Sequence, residues 1–236
     1  DCSNHAACTN EAGGFSCACL PGYSGNGVTC LDKNECLSPA LNDCDAHATC
    51  ANSDGSYTCA CDDLYSGDGF TCVAIDSDGD GLTDVVEIAI GTSPEDQDSD
   101  DDGAIDGAEP NPGLDTDHDG VINGLDPDSD NDGLFDGTEI GASCSGPGTD
   151  ASSGTCGVDA DGGLTTTSAL KWDTDGGGAS DGSEDPNLNG AVDAGELNPN
   201  DPADDTSAVD TDADGISDSF EAALGTKKSE KTKNQL

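Results

Sequence analysis

The chain has 236 residues, of which 51 are acidic and six are lysine with no arginine, for a formal net charge of −45. That balance excludes nucleic acid as a partner, because a phosphate backbone needs a basic face to meet. Only 32% of residues are hydrophobic and 3% aromatic, against 33 glycines, so one large apolar core is excluded too, although the length alone could support it.

Eleven of the thirteen cysteines lie in the first 73 residues. A small module that cannot build a core is stapled instead, and disulfides at this density imply an oxidising, extracellular compartment. Six of them, Cys36, Cys44, Cys50, Cys59, Cys61 and Cys72, carry a C-x-C centre, Gly55-Ser56-Tyr57 before Cys59 and Gly67-Asp68-Gly69 before Cys72. Spacing alone leaves about fifteen connectivities. The pattern over 32–73 resembles an epidermal-growth-factor-like (EGF-like) domain, which implies Cys36–Cys50, Cys44–Cys59 and Cys61–Cys72. It is similar to the calcium-binding subclass, because Asp32-Lys33-Asn34-Glu35 precedes Cys36 and Asn52 follows Cys50. The resemblance implies Asp32, Glu35 and Asn52 as side-chain ligands, at a junction that a bound ion would stiffen.

Residues 1–31 resemble the same family from its second cysteine onward. Cys2–Cys17 and Cys19–Cys30 remain open to this module, while Cys8 lacks its expected partner. A redox thiol is the functional reading of Cys8; a truncated module is the plainer one and is preferred. The chain starts at Asp1 and contains no methionine, so a start signal is expected upstream.

From residue 74 to 226 the composition changes. This stretch holds 40 of the 51 acids and a single cation, Lys171, so without counter-ions it would repel itself and extend. Seven segments read as D-x-[DN]-x-[DN]-G-x-x-[DN]-x-x-[DE], six of them in full, the first being Asp76, Asp78, Asp80, Asp84 and Glu87 around Gly81. A hard cation takes about six to eight oxygens, which carboxylates at positions 1, 3, 5, 9 and 12 and a carbonyl at 7 can provide, with glycine at 6 for the turn. Calcium is therefore the expected cofactor, at several sites.

Further loops place Asp98, Asp100, Asp102, Asp106 and Glu109; Asp115, Asp117, Asp119, Asn123 and Asp126; Asp128, Asp130, Asp132, Asp136 and Glu139; and Asp210, Asp212, Asp214, Asp218 and Glu221 in the ligand positions. The loop with Asp185, Asn187, Asn189, Asp193 and Glu196 substitutes amides and is expected to bind more weakly. The loop with Asp173, Asp175, Asp181 and Glu184 has Gly177 where its third carboxylate belongs. It is expected to stay empty or to borrow an oxygen. Metal binding and folding are then nearly the same free energy.

This array resembles thrombospondin type 3 repeats of the bacterial kind, in which short loops wrap a row of calcium ions with almost no regular secondary structure. The residue after each glycine (Leu82, Val121, Leu134, Ile216) is expected to pack locally. An EF-hand does not fit, because the loops at Asp115 and Asp128 start 13 residues apart and leave no space for flanking helices. Short helices are predicted at Thr83–Ile90 and Ser217–Leu224, each capped by Thr or Ser and stopped by Gly91 or Gly225. Residues 141–172 are read as an insertion that interrupts the array, with Cys144 and Cys156 closing a Gly/Ser-rich loop. Trp172, the only tryptophan, is a packing anchor in preference to a carbohydrate platform. The tail 227–236 reverses sign with Lys227, Lys228, Lys231 and Lys233, and is expected to fray or to dock on an acidic neighbour.

No histidine, nucleophile and base stand at catalytic spacing, and the paired acids lack an apolar pocket, so no catalysis is expected. The fold class is small disulfide-rich β modules plus an irregular, calcium-stabilised Asp-rich loop array with short helices. The expected role is an extracellular calcium-binding structural or adhesive rod of a cell-surface or matrix protein, meeting other extracellular proteins or copies of itself. Alternatives are a filament subunit, a calcium-dependent receptor or carbohydrate-binding adhesin, and, more remotely, dockerin-type scaffolding. No run is long enough and apolar enough to span a bilayer.

Overall fold

The computed structural model describes residues 1–205. The loop predicted at Asp210, the helix Ser217–Leu224 and the basic tail lie outside the described residues. The chain divides into two compact units, Asp1–Ile75 and a second from Asp76 onward.

The first unit is four two-stranded antiparallel sheets in series: β1 (Ala6–Glu11) with β2 (Gly14–Cys19), β3 (Tyr23–Gly25) with β4 (Cys30–Asp32), β5 (Ala48–Ser53) with β6 (Ser56–Cys61), and β7 (Tyr65–Gly67) with β8 (Cys72–Ala74). Registers repeat between modules, with Cys8 opposite Cys17 and Cys50 opposite Cys59. Disulfides take the place of a core: Cys2–Cys17 and Cys19–Cys30 in the first module, then Cys36–Cys50, Cys44–Cys59 and Cys61–Cys72 in the second. Cys8 is exposed and makes no disulfide. His5 and His47 stack on Tyr23 and Tyr65, each at 4.3 Å between ring centres, so the matching histidines are packing residues.

The two modules meet at two glycines. A Cβ at Gly22 would run into the Gly55 carbonyl, and one at Gly55 (φ +79°) would fall on the Tyr23 ring. Only a residue without a side chain permits that approach.

The second unit inverts the usual core. Among the described residues its buried apolar side chains are Ala104, Leu134, Ala169 and Ala179, whereas its largest fully buried ones begin with Glu87, Glu139 and Glu184. Among its described residues, regular structure is confined to α1 (Asp84–Ile90), two single turns, α2 (Asp136–Glu139) and α3 (Asp181–Glu184), and a 3-10 turn over Asn123–Leu125. Helix α1 starts one residue later than predicted. Thr83 occupies its N-cap but its side chain makes no capping bond, and Gly91 stops it in the left-handed region at φ +111°.

Candidate metal-binding array

Each loop from Asp76 to Gly190 is built on the same backbone. The fourth residue is left-handed in every described copy: Gly79, Asp101, His118, Asn131, Gly176 and Leu188. So is the sixth, a glycine throughout: Gly81, Gly103, Gly120, Gly133, Gly178 and Gly190. Two such reversals within three residues curl the chain until the acids at positions 1, 3 and 5 converge. Their carboxylate oxygens lie within 4.8 Å of one another in the triads Asp76-Asp78-Asp80, Asp98-Asp100-Asp102, Asp115-Asp117-Asp119 and Asp128-Asp130-Asp132.

Within its own loop, a backbone amide takes one oxygen of each position-5 acid and of most acids at position 3. At position 5, Asp80, Asp102 and Asp132 accept the N–H of Leu82, Ala104 and Leu134 at 2.6–2.8 Å. At position 3, Asp78 and Asp100 accept from Asp80 and Asp102. The second oxygens of Asp78 and Asp100, both oxygens of Asp130, and both oxygens of Glu87, Glu109 and Glu184 are buried and receive no hydrogen bond.

Position 12 reaches the same centre because positions 9 to 12 form a helical turn, the start of α1 and all of α2 and α3. In the turn 136–139 the result is Glu139, with one oxygen accepting from Thr167 at 2.8 Å and the other unpartnered.

Desolvated anions this close cannot all stay ionised alone. Burial, reinforced by neighbouring carboxylates, pushes Glu87 up to about 7, Asp100 to about 9, Glu109 to about 10, Asp130 to about 8 and Glu139 to about 11. A bare acid core is unfavourable near neutral pH. The donor set is all oxygen, anionic and convergent, which fits a hard divalent cation of the calcium type.

The acids at position 9 have a different task from the one expected. Asp84 accepts from Ser77 through both oxygens at 2.8 Å, Asp106 from Ser99 at 2.8 and 2.6 Å, and Asp181 from Thr174 at 2.9 and 2.6 Å. Asn123 accepts from Thr116, and Asp136 from the Ser129 N–H. Position 9 therefore ties down the Ser or Thr at position 2 of its own loop. Its side chain then turns toward the preceding site: Asp136 stands within 4.8 Å of Asp102 and Glu109, Asp106 lies near Glu87, and Asp181 near Asp130.

A second link joins the loops. The free oxygen of each position-5 acid accepts the N–H of a glycine at position 10 of a later loop: Asp80 from Gly107 at 2.6 Å, Asp102 from Gly137 at 2.6 Å and Asp132 from Gly182 at 2.8 Å. A Cβ at any of these glycines would strike the backbone of the acid's own residue. Sequence reasoning missed Gly107, Gly137 and Gly182, although the Asp-Gly pair at positions 9 and 10 was the available signal. The loop at Asp115 stands outside this ladder: Gly124 bonds Pro112 instead, and Asp119 is exposed.

Residues 141–172, the segment read as an insertion, bond to the array around them. Thr149 donates to Asp98, the Asp150 N–H to Asp101 at 2.6 Å, and Thr155 to the Asp100 carbonyl at 3.0 Å. Closed by Cys144–Cys156, this segment covers the loop at Asp98, and its end at Thr167 reaches Glu139. Asp98 and Asp102 are fully buried as a result.

In the loop at Asp185 two of the acids, Asp193 and Glu196, already have partners, while one buried oxygen of Asp185 has none. Asn187 donates to Asp193 at 3.2 Å and Glu196 at 2.6 Å, and Asn189 donates to Asp193 at 3.1 Å. Position 2 is Pro186, which has no N–H to offer position 9.

In the first unit, Asp32, Glu35 and Asn52 also come together. Asp32 accepts the Gly55 N–H at 2.6 Å and the Asn52 amide at 2.8 Å, which hold its carboxyl below the usual range. Asn52 accepts the Glu35 N–H, and one Glu35 carboxylate oxygen is buried without a partner. The cluster sits where β4 of the first module meets the β5–β6 hairpin of the second.

Comparison with known proteins agrees with this division. Residues 1–30 and 38–72 match the model of the EGF domain, and residues 76–95 and 210–226 match that of the bacterial TSP3 repeat. A stretch of 39 residues is 45% identical to the sushi, von Willebrand factor type A, EGF and pentraxin domain-containing protein 1 of Rattus norvegicus, and equally to that of Mus musculus. The match covers 16% of this chain and 1% of either relative.

Proposed function

From a chain that joins EGF domains to bacterial TSP3 repeats, we propose an extracellular structural or adhesive segment whose acidic array is made rigid by calcium. Both module types are typical of non-enzymatic structural proteins, and EGF domains with many disulfides point to an extracellular setting. Among the described residues no helix is long and apolar enough to cross a membrane.

The observation that carries the reading is the set of buried carboxylate oxygens without hydrogen-bond partners, repeated at the same positions from Asp78 to Glu184. An uncompensated buried charge costs several kcal/mol, and the loops at Asp76, Asp98, Asp128 and Asp173 each hold more than one. In a calcium-rich exterior, positions 1, 3, 5 and 12 of one loop and position 9 of the next would hold the ion, while the ladder from Asp80 to Gly182 fixes neighbouring sites together. Calcium supplies the cohesion; the chain supplies the spacing. The cluster of Asp32, Glu35 and Asn52 would do the same for the joint between the EGF domains. The segment would present other extracellular proteins, or copies of itself, with a stiff acidic surface.

Counting ions tests this directly. Metal analysis of the chain equilibrated in millimolar calcium should return at least five ions per molecule, and two or fewer would reject the proposal.

A further inference from the structure

The loop opening at Asp173 has its position-1 and position-3 acids bonded as in the loop at Asp115. Asp173 accepts the N–H of Gly176 and Gly178 at 2.6 and 2.9 Å, and Asp175 that of Gly177 at 2.8 Å. Position 5 is Gly177, so the third carboxylate is missing from the sequence. It is not missing from the fold. The place a Cβ would take at Gly177 is occupied by Oδ2 of Asp205. That same oxygen accepts the Ala179 N–H at 3.3 Å, 26 residues earlier in the chain. In the loops at Asp76, Asp98 and Asp128 this position-7 N–H goes to the position-5 acid.

Asp205 is 4% exposed, and its other oxygen, Oδ1, is buried with no hydrogen bond. It faces Glu184, 1% exposed, neither of whose oxygens receives a hydrogen bond, and Asp175, whose Oδ2 is likewise unpartnered. Unpartnered anionic oxygens from two positions of the loop and from Asp205, outside it, thus converge on one enclosed point. A cation between them removes the conflict.

We propose that the Asp173 loop is a complete divalent-cation site in which Asp205 replaces the absent position-5 carboxylate, so that occupancy ties residues 201–205 to the array. The assignment rests on the calcium reading of the whole array. Gly177 is then a requirement of the site, because a side chain there would displace Asp205. Its backbone is outside the left-handed region, so an acid could stand there if Asp205 were shortened.

The test uses the 236-residue chain with calcium and with terbium as a luminescent stand-in. Trp172 is the only tryptophan and adjoins Asp173, and tryptophan-sensitised terbium emission falls steeply with distance, so this signal reports the one loop. Asp205→Asn should weaken terbium binding at this site at least tenfold and lower the calcium count by one. Gly177→Asp combined with Asp205→Ala should restore both. An unchanged titration and count for Asp205→Asn, in a wild-type chain that fills its other loops, would overturn the role of Asp205 alone. Loss of binding that the double variant fails to restore would also overturn it, by reducing Asp205 to a packing residue. A wild-type chain that binds no calcium anywhere would overturn the array reading and this site together.

Discussion

Asp102 accepts the backbone N–H of Gly137 at 2.6 Å across 35 residues of sequence while its other oxygen accepts the Ala104 N–H within its own loop. One carboxylate thus shapes one loop and fastens the next. Removing it should disturb both, whereas Asp119, whose carboxylate accepts from Val121 inside its own loop, is expected to act locally. Charge-assisted hydrogen bonds contribute about 1.5–3 kcal/mol each. With calcium present, Asp102→Ala should lower amide-exchange protection over both 98–109 and 128–139, and Asp119→Ala only over 115–126. Equal, local effects from the two variants would contradict the ladder.

Removal of calcium separates the two units by what holds them. Disulfides persist in a chelator, so the modules of residues 1–75 should survive as a protease-resistant fragment. The acid-cored unit should expand and become susceptible. Small-angle scattering that gives the same dimensions with and without chelator would refute metal-dependent order.

The metal-free array should respond to pH in the direction opposite to most acidic proteins. Burial raises Asp181 to about 6, Glu87 and Asp102 to about 7 and Asp130 to about 8 in the folded state. A raised carboxyl stabilises the fold below its unfolded value, about 4, and loses that contribution as pH climbs through the folded one. Chelated protein should therefore be more compact at pH 5 than at pH 8. Calcium binding needs the ionised acids, so at pH 7 it should release protons. Titration calorimetry in buffers of different ionisation enthalpy would reveal that release, and its absence would count against buried acids as the ligands.

Asn187 offers a gain-of-function test. Its amide now satisfies Asp193 and Glu196, the groups a cation would otherwise engage. Asn187→Asp removes that internal donor and adds a charged ligand. Calcium affinity of this loop should rise about tenfold, roughly 1.4 kcal/mol, while the metal-free loop loosens. No change in affinity would show that Asn187 does not compete with the ion.

Close packing at the junction of the EGF domains makes Gly55 sensitive in another way. A side chain there meets both a left-handed backbone and the Tyr23 ring. Gly55→Ala should cost about 1–3 kcal/mol and weaken any calcium effect on the joint, since the Gly55 N–H also holds Asp32. Thermal denaturation with and without calcium would detect it.

Much of this protein was legible before folding because its structure is local. The twelve-residue pattern carries its own left-handed glycine and its own acids, so Asp76, Asp78 and Asp80 come together whatever surrounds them. The paired half-cystines likewise lie no more than 15 residues apart. What the pattern could not state was which loop each acid serves. Asp136 belongs by sequence to one loop and by position to the site of Asp102 and Glu109, because a helical turn at positions 9 to 12 carries it across. The insertion 141–172 looked like an interruption, yet its hydroxyls cover Asp98. Asp205 lay outside every motif and stands where Gly177 has no side chain. Local backbone chemistry makes the cages. Only the stacking of one loop on the next, with a glycine at each crossing, decides which oxygens complete them.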